Sequence, residues 1–156
     1  MINVVLTFIL TLLAVISDRL PYYFVIRKWA SFFDLQLTFT SRYTDCFECD
    51  LDDKILYISR YNKSVHNRDE YIASIAHEVG HLIGAAIDEK YPEKYQLSRR
   101  SSKKSIYLDE ARAWKIAEIL LQDAELYNPD RFISLRDRCL LEYRKALYGK
   151  KKYNRT

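Results

Sequence analysis

Apolar positions in this chain change period from one stretch to the next, and each change predicts an element. Val4 to Ile16 is almost continuous apolar sequence, interrupted only by Thr7 and Thr11. After Pro21 the pattern from Tyr22 to Phe33 predicts a helix, and Leu35, Leu37 and Phe39 then alternate with Gln36, Thr38 and Thr40 as a strand does. Short strands follow near Thr44 to Asp50 and Ile55 to Ser59, with the turn-prone Asp50-Leu51-Asp52-Asp53 between them. Ile72, Ile75, Val79, Leu82, Ile83 and Ala86 recur at helical spacing behind Asn67 and Glu70, which resemble a capping box, so a helix is predicted from about Asp69 to about Gly84 or a little beyond. A second helix spans Ile106 to about Tyr127, with Ala113, Trp114, Ala117, Leu121 and Ala124 on one stripe. Asn128-Pro129-Asp130 breaks it, and Arg131 to Leu147 reads as a final amphipathic helix. The fold class is therefore α+β: a short sheet packed on two central helices, with an edge strand able to pair with an extended peptide.

The first central helix carries His77-Glu78-Val79-Gly80-His81. A step of four residues returns to nearly the same helical face one turn higher, so both imidazoles can grip one metal ion. Glu78 is rotated by roughly 100° from His77, which sets its carboxylate beside the ion, suited to taking a proton from water there. Ala73, Gly80 and Gly84 lie near the histidine face, where small residues let another segment come close. The chemistry implied is that of a zinc hydrolase holding one Zn2+. The plainer alternative is a helix with two surface or core histidines.

Catalytic zinc usually has three protein ligands and one open position, so a third must come from elsewhere. Glu110 lies at the centre of the stripe on the second helix by helical rotation, and a carboxylate facing a core needs a partner. Asp109 and Arg112 point elsewhere and read as ordinary solvent residues, as do Glu118 and Glu125 at the margin. Glu110 is the expected third ligand; the alternative is a first-turn Glu stabilised by the helix dipole.

From about Tyr22 to Leu121 the chain resembles the ImmA/IrrE-type metallopeptidases of phages, mobile elements and bacterial stress regulation. The resemblance rests on Ile75-Ala76-His77-Glu78-Val79-Gly80-His81-Leu82, on the strand-like Lys54 to Ile58 before it, and on Asp109-Glu110-Ala111-Arg112-Ala113-Trp114 and the residues up to Leu121 after it. It implies a small zincin-like metallopeptidase domain, with zinc on His77, His81 and Glu110 and with Glu78 as general base. It also implies a narrow protein substrate, such as a transcriptional repressor or other regulator. Two departures are the lack of an attached helix-turn-helix segment and the unusually apolar N-terminus. An HtpX-type membrane-associated zinc peptidase is an alternative, but those proteins carry several spans and an Asp where this chain has Trp114. A third reading, from another class, is a non-catalytic metal-containing protein that sequesters a regulator.

Composition changes this picture only at its margins. With 156 residues, 49% of them hydrophobic, the chain can build one sizeable core, and three Gly and three Pro leave little for long flexible linkers. It divides into an apolar segment over residues 1–19, a metallopeptidase-like domain over 20–148 and a basic tail over 149–156. The net charge of +4 is uneven: Arg99, Arg100, Lys103 and Lys104 crowd the connection between the central helices, and Lys150-Lys151-Lys152 with Arg155 form the tail. Neither patch is interleaved with aromatic residues, so direct nucleic-acid binding is not expected. Cys46 and Cys49 form a Cys-x-x-Cys pair without a second pair to complete a four-cysteine metal site, and Cys139 is alone, which favours reduced thiols in the cytoplasm. The run within residues 2–16 is shorter than the roughly 20 residues of a spanning helix, which leaves a short membrane tether, a core helix and a signal peptide as its readings. For the hydroxyl or imidazole donor that a peptidase needs beside its carbonyl oxygen, the candidates are His66, Tyr91, Tyr95 and Tyr107.

Overall fold

The computed structural model describes residues 22–40, 47–61, 64, 66–90 and 103–148. They form a small α+β structure: helix α1 (Tyr23–Phe33), strands β1 (Gln36–Thr40), β2 (Glu48–Asp50) and β3 (Ile55–Ser59), then helices α2 (Arg68–Lys90), α3 (Lys103–Asp123) and α4 (Pro129–Tyr148). The sheet order is β1-β3-β2, with β1 parallel and β2 antiparallel to the central β3. Asp50 builds the β2–β3 turn, its Oδ1 accepting the N–H groups of Asp52 and Asp53 at 3.0 Å each.

Helix α2 is the spine, touching α1, β2, β3, α3 and α4. Its buried stripe of Ile72, Ile75, Val79 and Leu82 meets Leu56 and Ile58 from β3, Ile26 and Trp29 from α1, and Trp114, Ala117 and Leu121 from α3 in one core. Tyr71 fixes the join between sheet and helix by donating its hydroxyl to the Ser59 carbonyl at 2.9 Å. At the N-terminus of α2, Asn67 Oδ1 accepts the N–H groups of Asp69 and Glu70 at 2.9 and 3.3 Å, the forward half of the expected capping box. The Glu70 carboxylate is engaged by Arg138 of α4 at 3.1 Å.

Helix α3 begins at Lys103, three residues before the expected Ile106, and three further boundaries differ from the sequence reading for a visible physical reason. Helix α2 continues six residues past Gly84 because α3 supports it there: the Arg112 guanidinium lies over Gly84 and grips Asp88 one turn later, at 2.7 and 3.1 Å. Helix α3 ends at Asp123 because Glu125 turns left-handed (φ 58°) and the N–H groups of Leu126 and Glu125 bond back to Leu121 and Gln122. Asn128 and Pro129, read as a break, instead open α4: Asn128 Oδ1 caps the Arg131 N–H at 3.3 Å, and Pro129 sits at the first helical position, where its fixed φ suits the helix. Asn128 also donates to Asp69 at 2.7 Å, tying the starts of α4 and α2 together.

Among the described residues no helix is long and apolar enough to cross a membrane. Residues 2–16, Cys46, Tyr91, Tyr95, Arg99, Arg100 and the basic tail lie outside them.

Close approach of α2 and α3 depends on Gly80, where an added Cβ would run into the backbone carbonyl of Ala113. Helix propensity favours Ala over Gly by about 1 kcal/mol, whereas overpacking against backbone costs about 1–3 kcal/mol and sometimes more. The clash dominates. Gly80→Ala is expected to lower the urea unfolding free energy by about 1–2 kcal/mol; an unchanged or raised midpoint would mean that the two helices part freely.

Candidate metal centre

His77 and His81 leave α2 on one side, with ring centroids 4.6 Å apart. Glu110 reaches them from α3, its Oε2 3.2 Å from His77 Nε2 and its Oε1 3.6 Å from His81 Nε2. One ligand atom from each of the three lies within 4.8 Å of the other two, the one such group among the described residues. Four ligands at zinc distances would stand about 3.3 Å from one another at the corners of a tetrahedron, close to the two His–Glu spacings.

The ring of His77 is held on several sides. Trp114 stacks on it, centroid to centroid 4.2 Å and 24° from parallel, and Phe132 of α4 meets the Trp114 edge. Its Nδ1 lies 3.3 Å from Glu78 Oε1. With the proton on Nδ1 and shared with Glu78, Nε2 presents a lone pair toward the cluster. Nε2 is buried, and its one near neighbour of opposite charge is the Glu110 oxygen 3.2 Å away, without well-formed hydrogen-bond geometry. A buried, unsatisfied ring nitrogen beside a second imidazole and a carboxylate fits a bound cation, so His77, His81 and Glu110 can hold a metal ion.

Electrostatics couple the members of the cluster to one another. Burial works against a charged Glu110, yet the two imidazoles beside it prevail and hold its carboxyl well below the usual carboxylate range. Burial likewise disfavours a charged His77, but Glu110 and Glu78 outweigh it and raise the ring above its ordinary value.

Two further groups reach this centre that the sequence reading does not single out. The Cys49 thiol of β2 faces Glu78, and burial, then the Glu78 charge, push it up, so it stays a neutral thiol. The Tyr143 hydroxyl of α4 faces Glu110; burial and the neighbouring carboxylates push it up to about 12, keeping it a donor at neutral pH. The only sequence signal for Tyr143 is its place on an amphipathic helix. Of the expected donors, Tyr107 is bound by Arg144 at 3.0 Å, and His66 stacks on Tyr61 within an aromatic cluster with Phe47 and Tyr71. Arg112 is not the solvent residue expected: it clamps Asp88, 4% exposed, and also Asp109 at 2.9 Å.

No family model, curated protein or solved structure matches this chain. The chemistry of the site rests on its own residues.

The His77–Glu110 pairing makes metal-free stability pH-dependent. His77, raised in the fold, contributes fully below its ordinary 6.5 and loses that contribution as pH rises through its folded value. Glu110, lowered in the fold, contributes fully above its ordinary 4.5 and loses it as pH falls. With chelator present, the urea midpoint is therefore expected to be highest between those two values and to fall by pH 8.5, and Glu110→Gln should flatten the decline. A midpoint that rises from pH 6 to 8.5 would contradict the pairing.

Proposed function

We propose that this chain is a zinc-dependent metallopeptidase of the ImmA/IrrE kind, zincin-like in its fold, that cleaves a specific regulatory protein. The observation that carries the reading is the convergence of His77, His81 and Glu110 with Glu78 alongside. Two imidazoles and one carboxylate are a donor set that suits zinc and leaves a position open. Zinc held there supplies Lewis acidity toward a peptide carbonyl and makes water acidic enough to deprotonate near neutral pH.

The protein's own groups do the rest. Glu78 takes the proton from the attacking water and returns it to the departing amine. Its contact with His77 Nδ1 holds the ring in the tautomer that frees Nε2. Tyr143 donates its hydroxyl toward the carbonyl oxygen as negative charge develops there. Trp114 seals the inner face of His77, limiting water access from the core side. Edge strand β2, which packs beside α2, offers backbone hydrogen bonds to an extended substrate.

The test pairs metal content with new protein termini. Purified wild type is expected to hold about one zinc per chain, Glu110→Ala little or none, and Glu78→Gln as much as wild type. Cells expressing the wild type should then show cleaved protein termini that cells expressing Glu78→Gln lack, with a loss of roughly 10²–10⁴-fold in their rate of formation. A Glu78→Gln chain that keeps both zinc and full biological effect would sink the peptidase and leave a sequestering protein.

Tyr143→Phe removes a hydroxyl and little else. It is expected to slow the same cleavage by roughly 10²-fold through kcat, with KM nearly unchanged and zinc retained. Unaltered kcat would remove Tyr143 from the reaction.

A further inference from the structure

A cavity of about 440 Å³ opens between Phe47, just before β2, the N-terminal part of α2 and α4. Three elements each lead from it to the cluster by one structural step. Phe47, just before β2, lines the cavity, and Cys49, two residues on in the strand, lies near Glu78. On α2, Ser74 lines it, and Glu78 is one turn further along. On α4, Cys139 lines it, and Tyr143, again one turn on, meets Glu110. Along α2 and α4 the cavity lining thus lies about one helical turn, roughly 5 Å, from residues beside the cluster. The rise between alternate side chains of an extended peptide, roughly 7 Å, is enough to span that step.

We propose that this cavity receives a bulky aromatic side chain of the bound peptide, close in sequence to the bond that is cut, and so sets the substrate preference. The proposal rests on the metallopeptidase reading and adds its specificity. His66, Asn67 and Ser74 give the lining polar atoms, but its buried part is ring-rich: Tyr71 and Leu135 are buried, and Phe47 meets Tyr71 edge-to-face at 5.2 Å. An incoming ring extends that packing, and aromatic pairs add about 0.5–1.5 kcal/mol beyond area alone. The charged groups sit further out and are paired with each other, Glu70 (27% exposed) with Arg138 (61% exposed). A charged side chain would have to break that pair or enter the apolar part unpartnered, whereas an aromatic one does neither. The volume lies within the range of small-molecule pockets, about 300–1,000 Å³, ample for one large side chain.

The test uses the zinc-loaded full chain carrying Glu78→Gln, with calorimetric binding as the readout. The probes are acetylated dipeptide hydroxamates, which chelate the metal and differ in one side chain: phenylalanine, alanine, lysine or aspartate. The phenylalanine probe is expected to bind at least tenfold more tightly than the other three. Ser74→Phe and Cys139→Phe, which fill the cavity from two sides, should each erase that advantage while leaving zinc content and the affinity of the alanine probe unchanged. Equal affinity of the phenylalanine and alanine probes would overturn the pocket, as would an advantage that survives both fillings. So would a preference for lysine or aspartate. Discrimination among probes in a protein whose wild type cleaves nothing keeps the pocket and removes the peptidase; cleavage without discrimination does the reverse. A chain that takes up no zinc overturns both.

Discussion

Everything at the metal centre depends on how closely α2 and α3 approach at Gly80. That residue lies one position before His81 and three after His77, and its counterpart Ala113 lies three positions after Glu110. Ligands on both helices therefore stand within one turn of the contact. A carboxylate side chain is short, and Glu110 comes within 3.2 and 3.6 Å of the two imidazoles only because no side chain holds the backbones apart. Buried Ala73, Ala76 and Ala117 keep the surrounding helix surfaces narrow as well.

Arg112 fixes the same two helices further along. It lies over Gly84 and binds Asp88 with two hydrogen bonds, holding Asp109 of its own helix at the same time. Asp88 is almost wholly buried, so its charge tolerates that position only because the guanidinium meets both oxygens. Such a pair adds little net stability against an apolar replacement, but it tolerates few alternative alignments. The glycine contact sets how near the helices come, and the arginine fork sets how far one has slid along the other. Both coordinates must be right for Glu110 to sit opposite the histidine pair.

The sequence made the His77, His81 and Glu110 cluster legible because each member followed from local geometry. The i, i+4 histidines share a face at any helical phase, and Glu110 fell at the centre of a stripe of which Ala113, Trp114, Ala117 and Leu121 are buried and Ala124, past the end of α3, is partly buried. The α+β class and the Asp50 turn were legible for the same reason. What the sequence hid was contact between distant elements. Nothing local in α4 marks Tyr143 as facing Glu110, and nothing in β2 marks Cys49 as facing Glu78, because both contacts arise from how α4 and the sheet dock on α2. Arg112 resembles a solvent residue because its partner Asp88 is 24 positions away, beyond the end that periodicity predicts for α2. The true helix ends were hidden by tertiary support at Gly84 and by a left-handed Glu125, a conformation that no glycine announced.

The charge balance around the cluster would favour a cation there. Glu78 and Glu110 bring two carboxylates into a site where the exposure of each side chain is about a sixth of its maximum. Two arginines of the neighbouring helices are committed elsewhere: Arg112 holds Asp88 and Asp109, and Arg138 holds Glu70. Among the described residues, the ion-pair partners of Glu110 are His77 and His81, so without a metal the site balances itself by favouring a protonated imidazole. Two neutral imidazoles and two carboxylates match a divalent cation in charge, and binding it would release that proton. The same burial that makes an unpaired carboxylate costly thus favours a metal over a proton as the partner, provided the Nε2 lone pair of His77 stays turned inward. Trp114 and Glu78, on opposite parts of that ring, are what keep it so.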